Sequence, residues 1–309
     1  MIFTQDKDPF SQIYLPHGLV DPREVMNWPL VATNPRLLNL IESAIDAGAV
    51  LNRAFHAGVE SSLNHDSSDH TYYDGEVELW FKNQIRSFDP NCRFLGEEYG
   101  GTLEANQEGS GIYLVDPIDG TTNFSRGIAL VNFTACYTEF DSNGVLMAKI
   151  GIVYDFLHNE MYYAVEGEGA YLNGRKLENQ NTKSAKESLV SFSPLRVNPM
   201  RNNNDDAEGV KTVRSVMINY TDTYGRFGRE LQSGGLELSY LAAGKLDGVM
   251  TSWTSPYDLS AGVLIAKEAG CVCTDHFSNP WTPSYKGVVC ATPNVHKALI
   301  GLVDDHRSS

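Results

Sequence analysis

The sequence predicts an α/β protein folded as a layered sandwich, in which an α+β half (residues 34–183) and an α/β half (residues 184–309) enclose one site between them. Three observations carry this expectation. Two helical periodicities follow residue 34, a run of alternating segments with hairpin signals occupies about 131–177, and strand and helix patterns then alternate to the end of the chain. A chain of 309 residues with 42% hydrophobic and 20% charged residues can bury a full core and has the composition of a soluble globular protein.

Taken in order, residues 1–33 carry Pro9, Pro16, Pro22 and Pro29 among scattered aromatics, the pattern of an extended arm that docks on the body or on a neighbouring subunit. Asn34 can cap a helix, Pro35 fits its first position, and Leu37, Ile41, Ala44, Ile45, Leu51 and Phe55 recur at helical spacing up to Gly58. The segment His65-Asp66-Ser67-Ser68-Asp69-His70 reads as a solvated polar loop, although its residue types could also ligate a metal. A second helix is expected with Asp74 as its N-cap, Val77, Phe81, Ile85 and Phe88 on one face, and Asp89-Pro90-Asn91 as its end. Phe94 and Leu95 lead to Gly96-Glu97-Glu98, where one glutamate is expected to ligate and the other to be a solvated neighbour.

The apolar run 112–115 reads as a buried strand that delivers Asp116 and Asp119 into a turn made by Pro117 and Gly120. Beyond it Val131, Phe133, Ala135 and Tyr137 alternate, segments 147–154 and 161–165 flank a Leu157-His158-Asn159 turn, and Asn173-Gly174 is a hairpin signal, together predicting a large antiparallel sheet. Residues 198–208 are polar and read as a flexible insertion. Leu236, Tyr240 and Leu241 mark a helix ending at Gly244, and 248–252 a strand; Asp258 is expected to cap a helix that stops at Gly270. Strands at 271–274 and 288–291 and a helix after Pro293 close the chain. Cys92, Cys136, Cys271, Cys273 and Cys290 lack metal-ligand spacing and are expected as free buried thiols.

Chemistry concentrates around residues 112–124. Two carboxylates at a strand end repel unless a cation lies between them, and an oxygen-rich site suits a hard ion such as Mg²⁺. Gly120, Thr121, Thr122 and Asn123 then offer backbone N–H groups and hydroxyls at a helix start, where phosphate binds well. Asp-Pro-x-Asp-Gly is also an ordinary surface turn, and Asp258 alone is also an ordinary helix cap. Against those readings stands the fact that three acidic clusters, at Glu97, at Asp116 with Asp119, and at Asp258, all fall at predicted element ends.

Gly96-Glu97-Glu98, Asp116-Pro-Ile-Asp-Gly-Thr-Thr-Asn-Phe124 and Asp258-Leu-Ser-Ala-Gly262 occur in the order and at the approximate spacing of the inositol monophosphatase family. On these residues the chain from about Asn34 to about Leu299 resembles that family of Mg²⁺-dependent, lithium-sensitive phosphomonoesterases. The resemblance implies a layered αβαβα sandwich of the fructose-1,6-bisphosphatase type, a homodimer, and two or three Mg²⁺ ions held by Glu97, Asp116, the carbonyl of Ile118, Asp119 and Asp258. It implies in-line attack by a metal-activated water that Thr121 and Glu97 orient and deprotonate, with Asp74 accepting from Thr121. It further implies that Gly120, Thr121 and Thr122 hold the phosphate, and that Asp119, Ser233, Gly234, Thr251 and Asp258 face the substrate.

Three positions depart from the family. Thr251 stands where the inositol phosphatases have a glutamate, Gln232-Ser233-Gly234 replaces Gly-(Ser/Thr)-Ala, and no lysine occurs near Leu63. The expectation is therefore a small phosphate monoester as substrate without a unique preference for inositol 1-phosphate, and weaker lithium inhibition than is usual for the family. Fructose 1,6-bisphosphate, 3′-phosphoadenosine 5′-phosphate, histidinol phosphate and NADP are the alternatives within the superfamily. A net charge of −15 excludes nucleic acid and anionic membrane as expected partners, and bound cations would reverse its sign locally for an anionic substrate. With no secretory pattern and no membrane-length apolar run the protein is expected to be cytoplasmic. The alternative of another class is a catalytically silent protein that binds metal and phosphate as a regulator.

Overall fold

The computed structural model describes residues 25, 27–59, 62–63, 69–103, 111–179, 181–194, 204–226, 228–252, 255–285 and 287–308. Most of the expected arm, and residues 65–68 of the polar loop, lie outside the described residues. Helix α1 (Pro35–Ala57) begins where the Asn34 side chain accepts the Leu37 amide at 3.0 Å and Pro35 takes the first helical position. A short antiparallel ribbon, β1 (Ser62–Leu63) with β2 (Asp69–His70), leads to α2 (Tyr72–Phe88). The N-cap of α2 is Thr71, not Asp74: Asp74 is the third helical residue, and its carboxylate accepts the Thr71 N–H at 2.9 Å to complete a capping box.

Seven strands follow in a sheet whose spatial order is the sequence order: β3 (Arg93–Gly96), β4 (Ile112–Asp119), β5 (Asn132–Phe140), β6 (Leu146–Asp155), β7 (Glu160–Val165), β8 (Gly169–Leu172) and β9 (Arg175–Leu177). The β3–β4 pair is parallel and the remainder is an antiparallel meander. A five-residue helix, α3 (Thr121–Ser125), separates β4 from β5. Both faces of the sheet are buried, so in β5 the polar residues Asn132, Thr134 and Thr138 that alternate with the apolar ones are buried too. Tyr113 and Val115 of β4 pack with Ile41 and Phe81 beneath α1 and α2. Ile112 and Leu114 pack with Leu238 and Ile265, on the helices of the next layer.

That layer is α5 (Gly234–Ala242) and α6 (Pro256–Glu268), lying between the large sheet and a second sheet of β10 (Val190–Ser193), β11 (Gly248–Thr251), β12 (Val272–Thr274) and β13 (Val288–Ala291) in the order β10-β11-β13-β12. Helices α4 (Asn204–Tyr224) and α7 (Pro293–Ser308) close the outer face, with Val213, Val216, Tyr220, Val295 and Leu299 buried against Phe192 and Met250. The result is the five-layer αβαβα arrangement. Among the described residues no helix is long and apolar enough to cross a membrane.

Two expectations are corrected. The polar stretch 198–208 is not simply an insertion, because from Asn204 it is the first part of α4; the apolar period that betrays the helix begins only at Val210. Nor are all five cysteines thiols. Cys273 and Cys290 lie directly opposite each other on β12 and β13 and form a disulfide, while Cys92, Cys136 and Cys271 are free. Sequence spacing does not reveal such a pair, because strand pairing creates it.

Layers meet backbone to backbone at Gly151 of β6, where a Cβ would lie 2.9 Å from both Cα and the carbonyl oxygen of Ala261 in α6. Backbone atoms cannot yield as a side chain can. Gly151→Val is expected to cost about 1–3 kcal/mol by overpacking, read as a lower urea midpoint; an unchanged midpoint would show that α6 is free to shift.

Candidate active site

The site begins with an irregularity in β4. Asp116 pairs with Thr134 and Asp119 with Asn132, so two residues of β4 stand against Phe133 alone. Residues three apart on a regular strand point to opposite faces; this bulge puts Asp116 and Asp119 on one face. The expected turn after Val115 is thus a continued strand with an extra residue. Both aspartates are buried, at 3% and 7% exposure.

Two further segments reach the same point. Glu97 follows the last residue of β3, and Asp258 is the third residue of α6, where its carboxylate accepts the Ser255 N–H at 2.9 Å. Asp258, like Asp74, therefore completes a capping box and is not itself the N-cap. Asp116 is within hydrogen-bonding reach of both Glu97 and Asp258. Burial first, and repulsion from neighbouring carboxylates second, push the pKa values of these three residues well above the usual carboxylate range. Among the described residues no three acidic or histidine groups converge on a single ligating point; contact between carboxyl groups requires shared protons. The donor set is all oxygen and its members repel one another, which is the chemistry a hard divalent cation satisfies by replacing those protons.

Asp119 is held differently. Its carboxylate accepts Asn132 Nδ2 at 2.7 Å, Ser233 Oγ at 3.3 Å, and the N–H groups of Gly234 at 3.1 Å and Gly235 at 2.7 Å, the first residues of α5. Burial still raises its pKa, and these donors oppose the shift. Ser233 and Gly234, expected to face substrate, are therefore tied directly to Asp119. Thr121 Oγ donates to the Ile118 carbonyl at 3.0 Å and stands 3.3 Å from Asp74 Oδ1. Gly120 precedes α3 with φ 96°, and a Cβ there would lie 2.9 Å from the Leu130 carbonyl, so the conformation and the space both demand glycine. Thr122 is exposed beside it.

Two expected placements differ. Thr251 is fully buried, its hydroxyl accepts the Val288 N–H at 3.1 Å and its carbonyl meets His276 Nε2 at 2.7 Å, so it presents no group to a substrate. Glu98 is not a solvated neighbour: its side chain is 13% exposed and lies 3.0 Å from His70 Nδ1.

A profile of the inositol monophosphatase family matches residues 34–308. The chain belongs to the inositol monophosphatase family. An inositol-1-monophosphatase of Bacillus subtilis is 32% identical over 82% of this chain and 91% of its own. A fructose-1,6-bisphosphatase/inositol-1-monophosphatase of Thermotoga maritima is 29% identical over 76% and 82%, and the Nus factor SuhB of Pasteurella multocida is 27% identical over 87% and 96%. The solved structure of a Thermotoga maritima IMPase superposes with a TM-score of 0.72 at 25% identity, covering 88% of this chain and 97% of that one. Membership makes the protein a phosphoric monoester hydrolase acting on a small phosphorylated substrate, in a metal-dependent family.

Sequence reasoning missed two buried acids that hold this inositol monophosphatase site from behind. Glu78 accepts the N–H groups of Glu98 at 2.7 Å and Tyr99 at 3.0 Å, fixing the turn that carries Glu97. Its place four residues after Asp74, beside Val77 and Phe81, was the available signal: a charge on the apolar side of a helix. Glu237 of α5 accepts Leu231 N–H at 2.9 Å, Ser191 Oγ at 3.0 Å and Ser193 Oγ at 3.0 Å.

Burial pushes Asp74 up to about 6 and Glu237 up to about 7. Between an ordinary carboxylate value and these values the folded state keeps protons that the unfolded chain has released, so the metal-free protein loses stability as pH rises from about 4 to about 7, by on the order of a few kcal/mol. Urea unfolding in EDTA at pH 5 and pH 8 is expected to show the lower midpoint at pH 8, and Glu237→Gln to narrow the gap. An equal gap in the variant would remove Glu237 from the account.

Proposed function

We propose that the protein is a Mg²⁺-dependent phosphatase of small phosphate monoesters, with Glu97, Asp116, Asp119, Asp258 and the Ile118 carbonyl as ligands for two or three ions. The observation that carries this reading is the convergence from three segments of Glu97, Asp116, Asp119 and Asp258, with Asp116 and Asp119 buried and Glu97 and Asp258 half-buried beside them. Bound divalent cations would supply charge neutralisation on the phosphoryl oxygens and acidification of the attacking water.

The chain's own residues do the rest. Thr121 hands its hydroxyl proton toward Asp74 or the Ile118 carbonyl, which leaves its oxygen lone pairs free to accept from the attacking water and fix its direction. Glu97, beside the site where that water would sit, is the base that takes its proton. Gly120, Thr121 and Thr122 hold the phosphate at the start of α3, and Ser233 and Gly234, locked to Asp119, border the leaving group. Burial of Thr251 leaves the reading of inositol 1-phosphate as one substrate among several unchanged, since no glutamate grips its hydroxyls there.

Phosphate release from inositol 1-phosphate, fructose 1,6-bisphosphate and 3′-phosphoadenosine 5′-phosphate, each with Mg²⁺ and with EDTA, tests the proposal. Release from at least one in Mg²⁺ alone is expected; none from any would leave the silent, partner-binding reading to which the relatives named Nus factor point. Asp116→Asn removes one charge at constant volume. Turnover is expected to fall at least about a hundredfold while metal-free stability rises by about 1 kcal/mol, because repulsion among the remaining carboxylates is relieved. Retained turnover would remove Asp116 from the site.

A further inference from the structure

Thr134 of β5 is fully buried, and among the described residues its hydroxyl has no hydrogen-bond partner. Buried polar side chains are nearly always paired, so an orphaned hydroxyl at full burial needs an explanation. Strand register supplies one. Thr134 stands directly opposite Asp116, and the pairs next to it, Ala135 with Val115 and Cys136 with Leu114, pack into the cores on the two opposite faces of the sheet. Thr134 and Asp116 therefore share the face that carries Leu114 and Cys136, which is turned toward α5 and α6, the helix that brings in Asp258. Directly opposed residues keep their Cβ atoms about 4.5–5.5 Å apart, so a turn about χ1 from one staggered rotamer to another is enough to bring the hydroxyl to the carboxylate.

The two aspartates of β4 are supplied with donors unequally. Asp119 accepts from Asn132, Ser233, Gly234 and Gly235. Asp116, among the described residues, accepts the Ile118 N–H at 2.9 Å and otherwise meets the carboxyl groups of Glu97 and Asp258. Those carboxyl contacts are held by shared protons, which a bound cation displaces. Asp116 is then a buried anion with a single N–H donor, and a further donor stabilises it. We infer that Thr134 is a positioning residue that donates its hydroxyl to Asp116 once a divalent cation replaces the shared protons, and so fixes that carboxylate in its ligating orientation; the inference rests on the phosphatase reading above. Partners behind a metal ligand act in this way, through the ligand and without touching the ion.

The test compares wild type, Thr134→Val, which keeps the shape and removes the hydroxyl, and Thr134→Ser, which keeps the hydroxyl. Each is titrated calorimetrically with Mg²⁺, melted in EDTA, and assayed for phosphate release from inositol 1-phosphate in saturating Mg²⁺. The valine variant is expected to bind Mg²⁺ about tenfold more weakly with KM for the substrate unchanged. In EDTA it is expected to melt about 1–3 °C above wild type, because the orphaned hydroxyl is gone. The serine variant is expected to bind Mg²⁺ within about threefold of wild type. Mg²⁺ affinity of the valine variant within twofold of wild type overturns the inference and leaves the phosphatase reading intact. So does a valine variant that melts below wild type in EDTA, which would give the hydroxyl a structural partner, and so does a serine variant as weak as valine, which would assign the effect to packing of the methyl group. A wild type that neither binds Mg²⁺ nor releases phosphate removes the phosphatase reading, and the inference with it.

Discussion

Everything at the centre of this molecule answers to one electrostatic constraint: several carboxylates crowd together, partly or wholly out of water, and raise one another's proton affinity. Isolated charges in such a place would be prohibitively costly, so the fold surrounds them with partial positive charge. Helices α2, α5 and α6 all begin here, with Asp74 and Asp258 in the first turns of two and Asp119 docked on the N–H groups that open the third. Each N-terminus contributes roughly half a positive charge. That falls short of neutralising the cluster, and the shortfall is what a divalent cation fits.

A division of labour follows. Residues that would meet water, phosphate or metal sit at strand ends and helix starts, while other acids deeper in the layers hold the backbone that presents them. Glu78 does this for the turn bearing Glu97, and Glu237 for the segment bearing Ser233. Each is a buried carboxylate accepting backbone N–H groups that would otherwise lack partners, so each fixes a loop with the rigidity of a strand. Catalytic geometry in a loop-borne site depends on such supports.

Much of this was legible in the chain. The cap at Asn34, the hairpin at Asn173-Gly174, the alternation through β5 and the break at Gly270 each rest on local backbone chemistry, and the structure agrees with them. The three acidic segments could be picked out because their residue types are costly unless used. What was not legible depends on pairing and burial. The bulge in β4 exists only relative to β5, and Cys273 meets Cys290 only through strand register. Thr251 looked like a substrate contact by position, yet its neighbours in the small sheet bury it. The N-caps were misplaced by three residues at both Asp74 and Asp258, although Thr71-x-x-Asp74 and Ser255-x-x-Asp258 carry the capping-box pattern in plain view.

The layer of α5 and α6 is apolar toward both sheets, so the large sheet has no cover on its second face until these helices exist. During synthesis the last strand of that sheet ends at Leu177, and α6 is complete only at Glu268, about ninety residues later. At ribosomal speeds of about 5–20 residues per second, a nascent sheet with Ile112, Leu114, Val153 and Tyr162 bare to solvent persists for about five to twenty seconds. Such a surface is a target for chaperones and for mispairing with other nascent chains. The architecture that places a helical layer between two sheets therefore leaves the protein most vulnerable part-way through its own translation.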